Sequence, residues 1–367
     1  MTTRDAERIP KYRQVYGALE RSIRSGRWKG GEKLPSEAAL VRQFGASRIT
    51  VGRAVRDLQL AGLVDRRPGS GTFVRSPRPA AALSFGLLIP DLGETEIFAA
   101  ICQGMMASPL ASQHALVWGS LTGPSASKEA QALELCRQYV ERKVAGVFFA
   151  PLERSPAKDE VNERIVRTLD EARIPIVLLD RPAVPYPGRG RHDLVGIDNR
   201  RAGLVVAEHL LRLGARRVAF VAVPNAAATV DAREAGYREA LFVHGIAFDP
   251  VLARRLDPGN VEAVRAFLES SRPDGIVCAN DWTAARLLHS LLALGVAVPG
   301  GVRLAGIDDV DYASLLPVPL TTLRQPTREI GAAALSAMLD RVAGADLPAR
   351  DVLLAGTPVG RMVLLSK

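Results

Sequence analysis

Residues 31–56 read GEKLPSEAALVRQFGASRITVGRAVR, and this stretch decides the fold of the N-terminal part of the chain. Pro35-Ser36 opens a short helix, with Ser36 as its N-cap ahead of Leu40, Val41 and Phe44. Gly45 breaks that helix. Ser47 caps the next one, in which Val51, Val55 and Leu58 form one buried face and Gly62 the stop. Upstream, Tyr12, Val15, Tyr16, Leu19 and Ile23 follow helical spacing and make one apolar stripe from about Lys11 to Ser25. Downstream, Leu63–Arg66 and Thr72–Arg75 are two short strands around Arg67-Pro68-Gly69-Ser70-Gly71, a hairpin with a glycine-rich tip. Three helices and a β-wing make a winged helix-turn-helix.

Charge is concentrated in the same region. The chain has 367 residues and a net charge of +9. Residues 1–78 carry 17 Lys+Arg against seven Asp+Glu, a balance of +10, and the remaining 289 residues balance at −1. A small basic module on a neutral body fits a polyanion-binding head or a solvated Arg-rich surface, and the motifs decide between them. The three ordered motifs Gly31–Glu37, Ser47–Val51 and Gly69–Phe73 resemble the GntR family over about residues 10–75. That resemblance implies a DNA-binding helix-turn-helix near Glu37–Arg56.

The physical chemistry of the third helix agrees. Its N-terminal end enters the major groove, where Arg48 donates two hydrogen bonds to guanine O6 and N7. Ser47 and Thr50 are placed for phosphates or base edges at the positive end of the helix. Gly69 and Gly71 let the wing backbone approach minor-groove phosphates, and Arg67 adds charge. Lys33, Ser36 and Arg53 complete the expected DNA-facing set. Ala38 and Gly52 stand where many family members carry Arg, and Arg53 is displaced by one position, so direct readout is thinner or redistributed and the operator sequence does not carry over.

After a proline-punctuated linker at 76–82, apolar strands alternate with amphipathic helices. The expected strands are Leu83–Ile89, Ala115–Trp118, Gly146–Phe149, Ile176–Leu179, Val195–Ile197, Arg217–Val223, Gly275–Cys278 and Arg303–Gly306. Between them, helices are expected over Lys128–Lys143, Asn162–Ala172, Arg200–Leu213, Arg233–Val243, Asn260–Ser271 and Thr283–Leu294. Such alternation predicts parallel sheets, and the number of units predicts two α/β lobes with a cleft between them.

Pro175–Arg181, Val195–Asn199, Arg233–Tyr237, Ala279–Asp281, Gly306–Asp309 and Leu320–Gln325 resemble the LacI family, in order, over about residues 83–366. The resemblance implies a periplasmic-binding-protein-like body, in α/β class, joined to the winged head. It implies domains at 1–75 and 83–367, with lobe 1 at about 83–195 and 326–350 and lobe 2 at about 199–320 and 355–367. Inter-lobe crossings are expected near Val195–Asn199, Thr321–Gln325 and Asp351–Ala355. GntR-type heads on LacI-type bodies are sugar-responsive repressors, so the resemblance implies a cytoplasmic homodimer on palindromic operator DNA with a carbohydrate effector.

A sugar presents vicinal hydroxyls and needs bidentate carboxylate and guanidinium partners beside an apolar platform. The resemblance places Asp180, Arg233, Asn280 and Asp308 in the cleft, each at or just after a strand or at a helix start. Phe98 or Trp282 would supply the aromatic face, and Asp91 is a further candidate. Asp198 and Asn199 are read as organising the crossing. A nucleobase or polyol derivative stays open as an alternative effector.

Other classes are excluded by what is missing. No apolar run reaches the ~18–20 residues that span a bilayer, and the first residues have no apolar core of an export signal. A transport-type sugar-binding protein would need that signal and no basic head. The three cysteines and five histidines form no metal motif, and Asp308, Asp309 and Asp311 lack His, Cys or Glu at ligand spacing. A pyridoxal-phosphate hybrid would need a longer chain and a Schiff-base lysine, but the body has only Lys128, Lys143, Lys158 and Lys367. No catalytic constellation and no cofactor motif stands out, so the expectation is a regulator, not an enzyme.

Overall fold

A computed structural model describes residues 10–24, 27–60, 63–67, 70–74, 82–90, 96–119, 127–344 and 347–361. Gly62, Gly69, Asp91 and residues 76–81 of the expected linker lie outside them. The side chain of Arg67 is likewise outside the description. Contacts divide the chain into two compact units, residues 1–81 and 82–367.

In the first unit, α1 (Lys11–Arg24), α2 (Glu37–Phe44) and α3 (Arg48–Leu60) precede a hairpin of β1 (Val64–Arg67) and β2 (Gly71–Val74). The helical stripes meet as read: Val15, Leu19, Leu40, Val51, Val55 and Leu58 are all buried in one cluster. Ser36 caps α2 by accepting the Ala39 N–H at 3.2 Å, and Gly45 ends it with a left-handed φ of 54°. The hairpin is antiparallel, with Val64 opposite Val74 and Arg67 opposite Gly71. One feature is additional to the sequence reading. The segment before α2 adds to the wing as a third edge, with Leu34 N–H donating to Thr72 O at 2.8 Å and Val74 N–H to Glu32 O at 2.8 Å.

The second unit holds two parallel sheets. Lobe 1 comprises β3 (Ser84–Leu88), α4 (Glu96–Ala107), β4 (Ala115–Val117), α5 (Lys128–Glu141), β5 (Gly146–Phe149), α6 (Lys158–Glu171), β6 (Ile176–Leu179) and β7 (Asp193–Ile197). Lobe 2 follows with α7 (Asn199–Arg212), β8 (Val218–Ala222), α8 (Ala228–Val243), β9 (Ala253–Arg255), α9 (Val261–Ser271), β10 (Gly275–Cys278), α10 (Asp281–Ala293) and β11 (Arg303–Ala305). The chain then runs through β12 (Thr322–Arg324), α11 (Thr327–Ala343), β13 (Asp351–Leu354) and β14 (Thr357–Val359).

The lobe 1 sheet has the order β13-β7-β6-β5-β3-β4 and the lobe 2 sheet β11-β10-β8-β9, with every pairing parallel. Strands β5, β6, β8 and β10 are buried at every position, as expected of parallel strands covered on both faces. The main chain passes between the sheets three times: at β7 to α7, at β12 to α11, and between β13 and β14, which pairs antiparallel with β12. One buried cluster runs from Phe85 and Phe148 of lobe 1 to Phe220 and Tyr237 of lobe 2.

Several elements depart from expectation, each where a local signal is lacking. Helix α6 begins at Lys158, four residues before the expected Asn162, and α8 begins at Ala228, five before Arg233. Their N-cap positions are Ala157 and Ala227, neither of which offers a side-chain acceptor, so no start signal is visible. Helix α11 is buried at Ile330, Gly331, Ala334, Leu335, Ala337 and Met338, too wide an arc to show a clean stripe. Strand β9 is a three-residue edge, Ala-Arg-Arg, with no apolar run.

Candidate DNA interface and effector cleft

The N-terminus of α3 presents its first residues outward. Ser47 Oγ accepts the Thr50 N–H at 3.2 Å and shares a 2.8 Å hydrogen bond with Thr50 Oγ1, which fixes both hydroxyls at the positive helix end. Arg48 is exposed beside them. Ile49, not singled out in the sequence, is 86% exposed between Arg48 and Thr50, where an apolar side chain suits a thymine methyl.

Other expected contacts have internal partners as well. The Arg53 guanidinium lies 4.0 Å from the Tyr12 ring and so ties α3 to α1. Lys33 bridges to Phe73, with its ammonium 5.9 Å from that ring, and its stem covers Gly71. Gly71 has φ 117°, a conformation that favours glycine at the turn into β2. Ser36 is spent on its cap. An Arg66–Glu37 ion pair of 2.8 Å joins the wing to α2.

In the second unit, the crossings and strand ends gather a buried charged cluster. Asp180 follows β6 and Asp308 follows β11, and both hold positive φ, 66° and 134°. Arg233 is 3% exposed. It does not sit at a helix start as expected: α8 begins five residues earlier, which puts Arg233 in the second helical turn. From there its Nε donates to Asn199 Oδ1 at 2.8 Å, its Nη1 donates to Ala279 O at 2.6 Å, and its Nη2 stands 3.7 Å from Asp308 Oδ1. Asn199 thus holds the arginine, while Asp198 caps α7 through the Arg201 N–H at 3.0 Å. Helix α8 reaches this depth because Gly203 and Gly236 let it lie against α7. A Cβ on either would collide with a carbonyl oxygen of the opposite helix, that of Arg233 or Arg200.

Three participants were not visible in the sequence. Gln325, on the return crossing, donates from Nε2 to Asp308 Oδ1 at 2.8 Å. Arg181, 3% exposed, pairs with Glu153 at 2.8 Å and lies 5.0 Å from the Phe98 ring. Phe98 is fully buried beneath Arg181, so its ring is not presented as an open face, contrary to expectation. Their signal is spatial: each lies far along the chain from the residues it joins.

Burial governs the acids. It pushes the carboxyl of Asp308 up to about 8, against Arg233 and Gln325 and with help from Asp281 and Asp180. Burial also raises Asp180, outweighing Arg181 and Arg233. Glu153 behaves oppositely: burial alone would raise it, but the guanidinium groups of Arg181 and Arg154 hold it below the usual range. Among the described residues, Asp180 Oδ1 and Gln325 Oε1 are buried without a hydrogen-bond partner.

A narrow cleft is lined by Glu153, Arg154, Val223, Ala226, Asn280 and Trp282, among others. Asn280 uses its Oδ1 to cap α10, accepting the Thr283 N–H at 2.9 Å and the Thr283 hydroxyl at 2.7 Å, which leaves the amide nitrogen for a ligand. Trp282 stands between lobes, with Arg154 and Arg286 each 5.0 Å from its ring. Asp309 is committed to Arg324 and Arg361, both at 2.6 Å. Among the described residues no group of three or more acidic, His or Cys side chains is placed to hold a metal ion.

A basic winged helix-turn-helix with a two-lobed binding body defines a DNA-binding transcription regulator. Comparison with known proteins gives the particular build. Residues 11–74 match the model for bacterial regulatory proteins of the gntR family, and residues 207–362 match the periplasmic binding protein-like domain. The chain is thus similar to gntR-family regulators in its head and to periplasmic binding protein-like domains in its body.

The arabinose metabolism transcriptional repressor of Geobacillus stearothermophilus is 28% identical over 347 residues, covering 91% of this chain and 92% of that one. The HTH-type transcriptional regulator CelR of Thermobifida fusca is 32% identical over 206 residues, 55% of this chain and 58% of that one. A solved transcriptional regulator CelR–cellobiose complex superposes with a TM-score of 0.65 at 24% identity, covering 86% of this chain and 91% of the other, and shows the fold.

Proposed function

We propose that this protein is an operator-binding repressor whose DNA affinity is set by a carbohydrate bound between the lobes of its body. The observation that carries the effector chemistry is the pair of buried, unpartnered acceptors, Asp180 Oδ1 and Gln325 Oε1, set with Asp308 and the donor Arg233. A ligand that enters such a cluster must bring several hydroxyl donors and must tolerate buried carboxylates, which describes a neutral sugar. Asn280 and Trp282 extend the cleft on the lobe 2 side. The arabinose repressor and the cellobiose-bound CelR relatives support the same ligand class.

DNA binding rests on Arg48, Ser47, Thr50 and the wing, with two heads of a homodimer on a palindromic operator in the cytoplasm. Effector binding changes lobe closure, and a coupling of ~1–3 kcal/mol suffices for a 5–150-fold change in operator affinity. Thermal-shift and calorimetric screening of arabinose, other pentoses, hexoses, cellobiose, polyols and nucleobases tests the reading. Stabilisation by a sugar is expected. Stabilisation by a nucleobase alone overturns the carbohydrate assignment.

A further inference from the structure

Helix α8 carries Arg233, yet it begins without either half of a capping box. Its N-cap is Ala227, and its third residue is Val230 where a glutamate would reach back to the N-cap N–H. That N–H is nevertheless satisfied: Glu153 Oε2 accepts it at 3.3 Å. Glu153 follows β5 and belongs to lobe 1; α8 belongs to lobe 2. The other carboxylate oxygen, Oε1, accepts Arg181 Nη1 at 2.8 Å within lobe 1, and Arg154 Nε stands 3.8 Å from it. The neighbouring backbone closes the same seam, since Arg154 N–H donates to Asn225 O at 2.6 Å. Arg154's guanidinium then lies 5.0 Å from Trp282 of α10.

We infer that Glu153 is an inter-lobe positioning residue: it supplies from lobe 1 the carboxylate that caps the lobe 2 helix bearing Arg233. The ordinary ways to finish a helix N-terminus are local, and a missing cap exposes backbone donors. Here the acceptor is held by the opposite lobe, so separation of the lobes strips the cap while Glu153 keeps Arg181. The helix N-terminus also favours the negative charge itself. Closure and the placement of Arg233 are therefore linked through one carboxylate. The inference rests on the reading of the inter-lobe cleft as the effector site, but its test needs no ligand.

Hydrogen exchange is measured by mass spectrometry on the full chain without ligand, comparing wild type with Glu153→Ala and Glu153→Gln. In Glu153→Ala, amides of residues 225–232 should exchange roughly 2- to 30-fold faster, the range for losing an N-terminal cap. Glu153→Gln keeps an acceptor oxygen and loses the charge, so it should fall between the two. It also keeps the question answerable if the alanine variant fails to fold. Peptides from β4 and from the C-terminal end of α8 should be unchanged. Unaltered exchange at 225–232 overturns the inference, and so does acceleration spread evenly over both lobes. Because no ligand is present, a wrong effector assignment leaves the result untouched.

Discussion

Replacing Asp308 by Asn tests the electrostatics of the cluster directly. Asp308 is 6% exposed, and burial, aided by Asp281 and Asp180, pushes it up to about 8 despite Arg233 and Gln325. In the unfolded chain an aspartate titrates near about 3.9. Between those two values the folded protein holds a proton that the unfolded chain has released. The stability this group contributes is complete below the lower value and is lost as pH rises through the upper one. The slope of that loss is about 1.4 kcal/mol per pH unit. Asparagine has the same shape and no proton to lose, so its profile is flatter by that slope.

Between about pH 5.5 and about pH 7.5 the variant should therefore gain on the wild type, on the order of 2–3 kcal/mol and several degrees in Tm. Urea unfolding at three pH values measures it. A Trp28→Phe background leaves Trp118 and Trp282, both in the second unit, as the fluorescent reporters. Loss of the carboxyl group beside Arg233 should at the same time weaken sugar binding. Parallel pH profiles for the two proteins would refute the reasoning, whatever happens to binding.

Three further variants test the contacts of the head and of the α7–α8 pair. Arg48→Ala should cost ~1–3 kcal/mol of operator binding and relax specificity, whereas Arg53→Met should lower the melting point of the head through loss of the Tyr12 contact; fluorescence anisotropy and calorimetry separate the two, and unchanged operator affinity in Arg48→Ala removes it from the interface. Gly203→Ala gains helix propensity, yet its Cβ would collide with the Arg233 carbonyl, so a net loss of ~1–3 kcal/mol and weaker sugar binding are expected; a rise in Tm would show that α7 and α8 separate freely.

The head was legible almost residue by residue because its signals are local. Ser36, Gly45 and Ser47 punctuate the chain within the turns they control, and the apolar stripes need no distant partner. The parallel strands were legible for a related reason: Gly146–Phe149, Ile176–Leu179 and Gly275–Cys278 are buried on both faces and read as unbroken apolar runs. Legibility failed where the decisive partner is remote. The start of α8 was missed because its cap comes from Glu153, 74 residues earlier. Gln325 joins Asp308 across 17 residues and a lobe crossing, and Arg181 meets Glu153 only through the fold. Asp180 and Asp308 were found as residue types at strand ends, but their left-handed backbone and raised proton affinity exist only in the folded chain.

These same two aspartates carry the argument from stability to regulation. Left-handed backbone, buried carboxyl groups and unpartnered acceptors each cost the body free energy, on the order of 1–3 kcal/mol apiece. A core built for stability alone would replace them. A ligand shifts a conformational equilibrium only by its differential affinity for the two states. Asp180 ends a lobe 1 strand, Arg233 rides on a lobe 2 helix, and Gln325 lies on the crossing between them. A hydroxylated effector that satisfies all three does so in the lobe arrangement that brings them together, and each buried acceptor it satisfies is worth about the same 1–3 kcal/mol. On the function proposed above, that sum reaches the coupling an operator switch needs, so the groups that cost the body stability are those through which an effector would drive it.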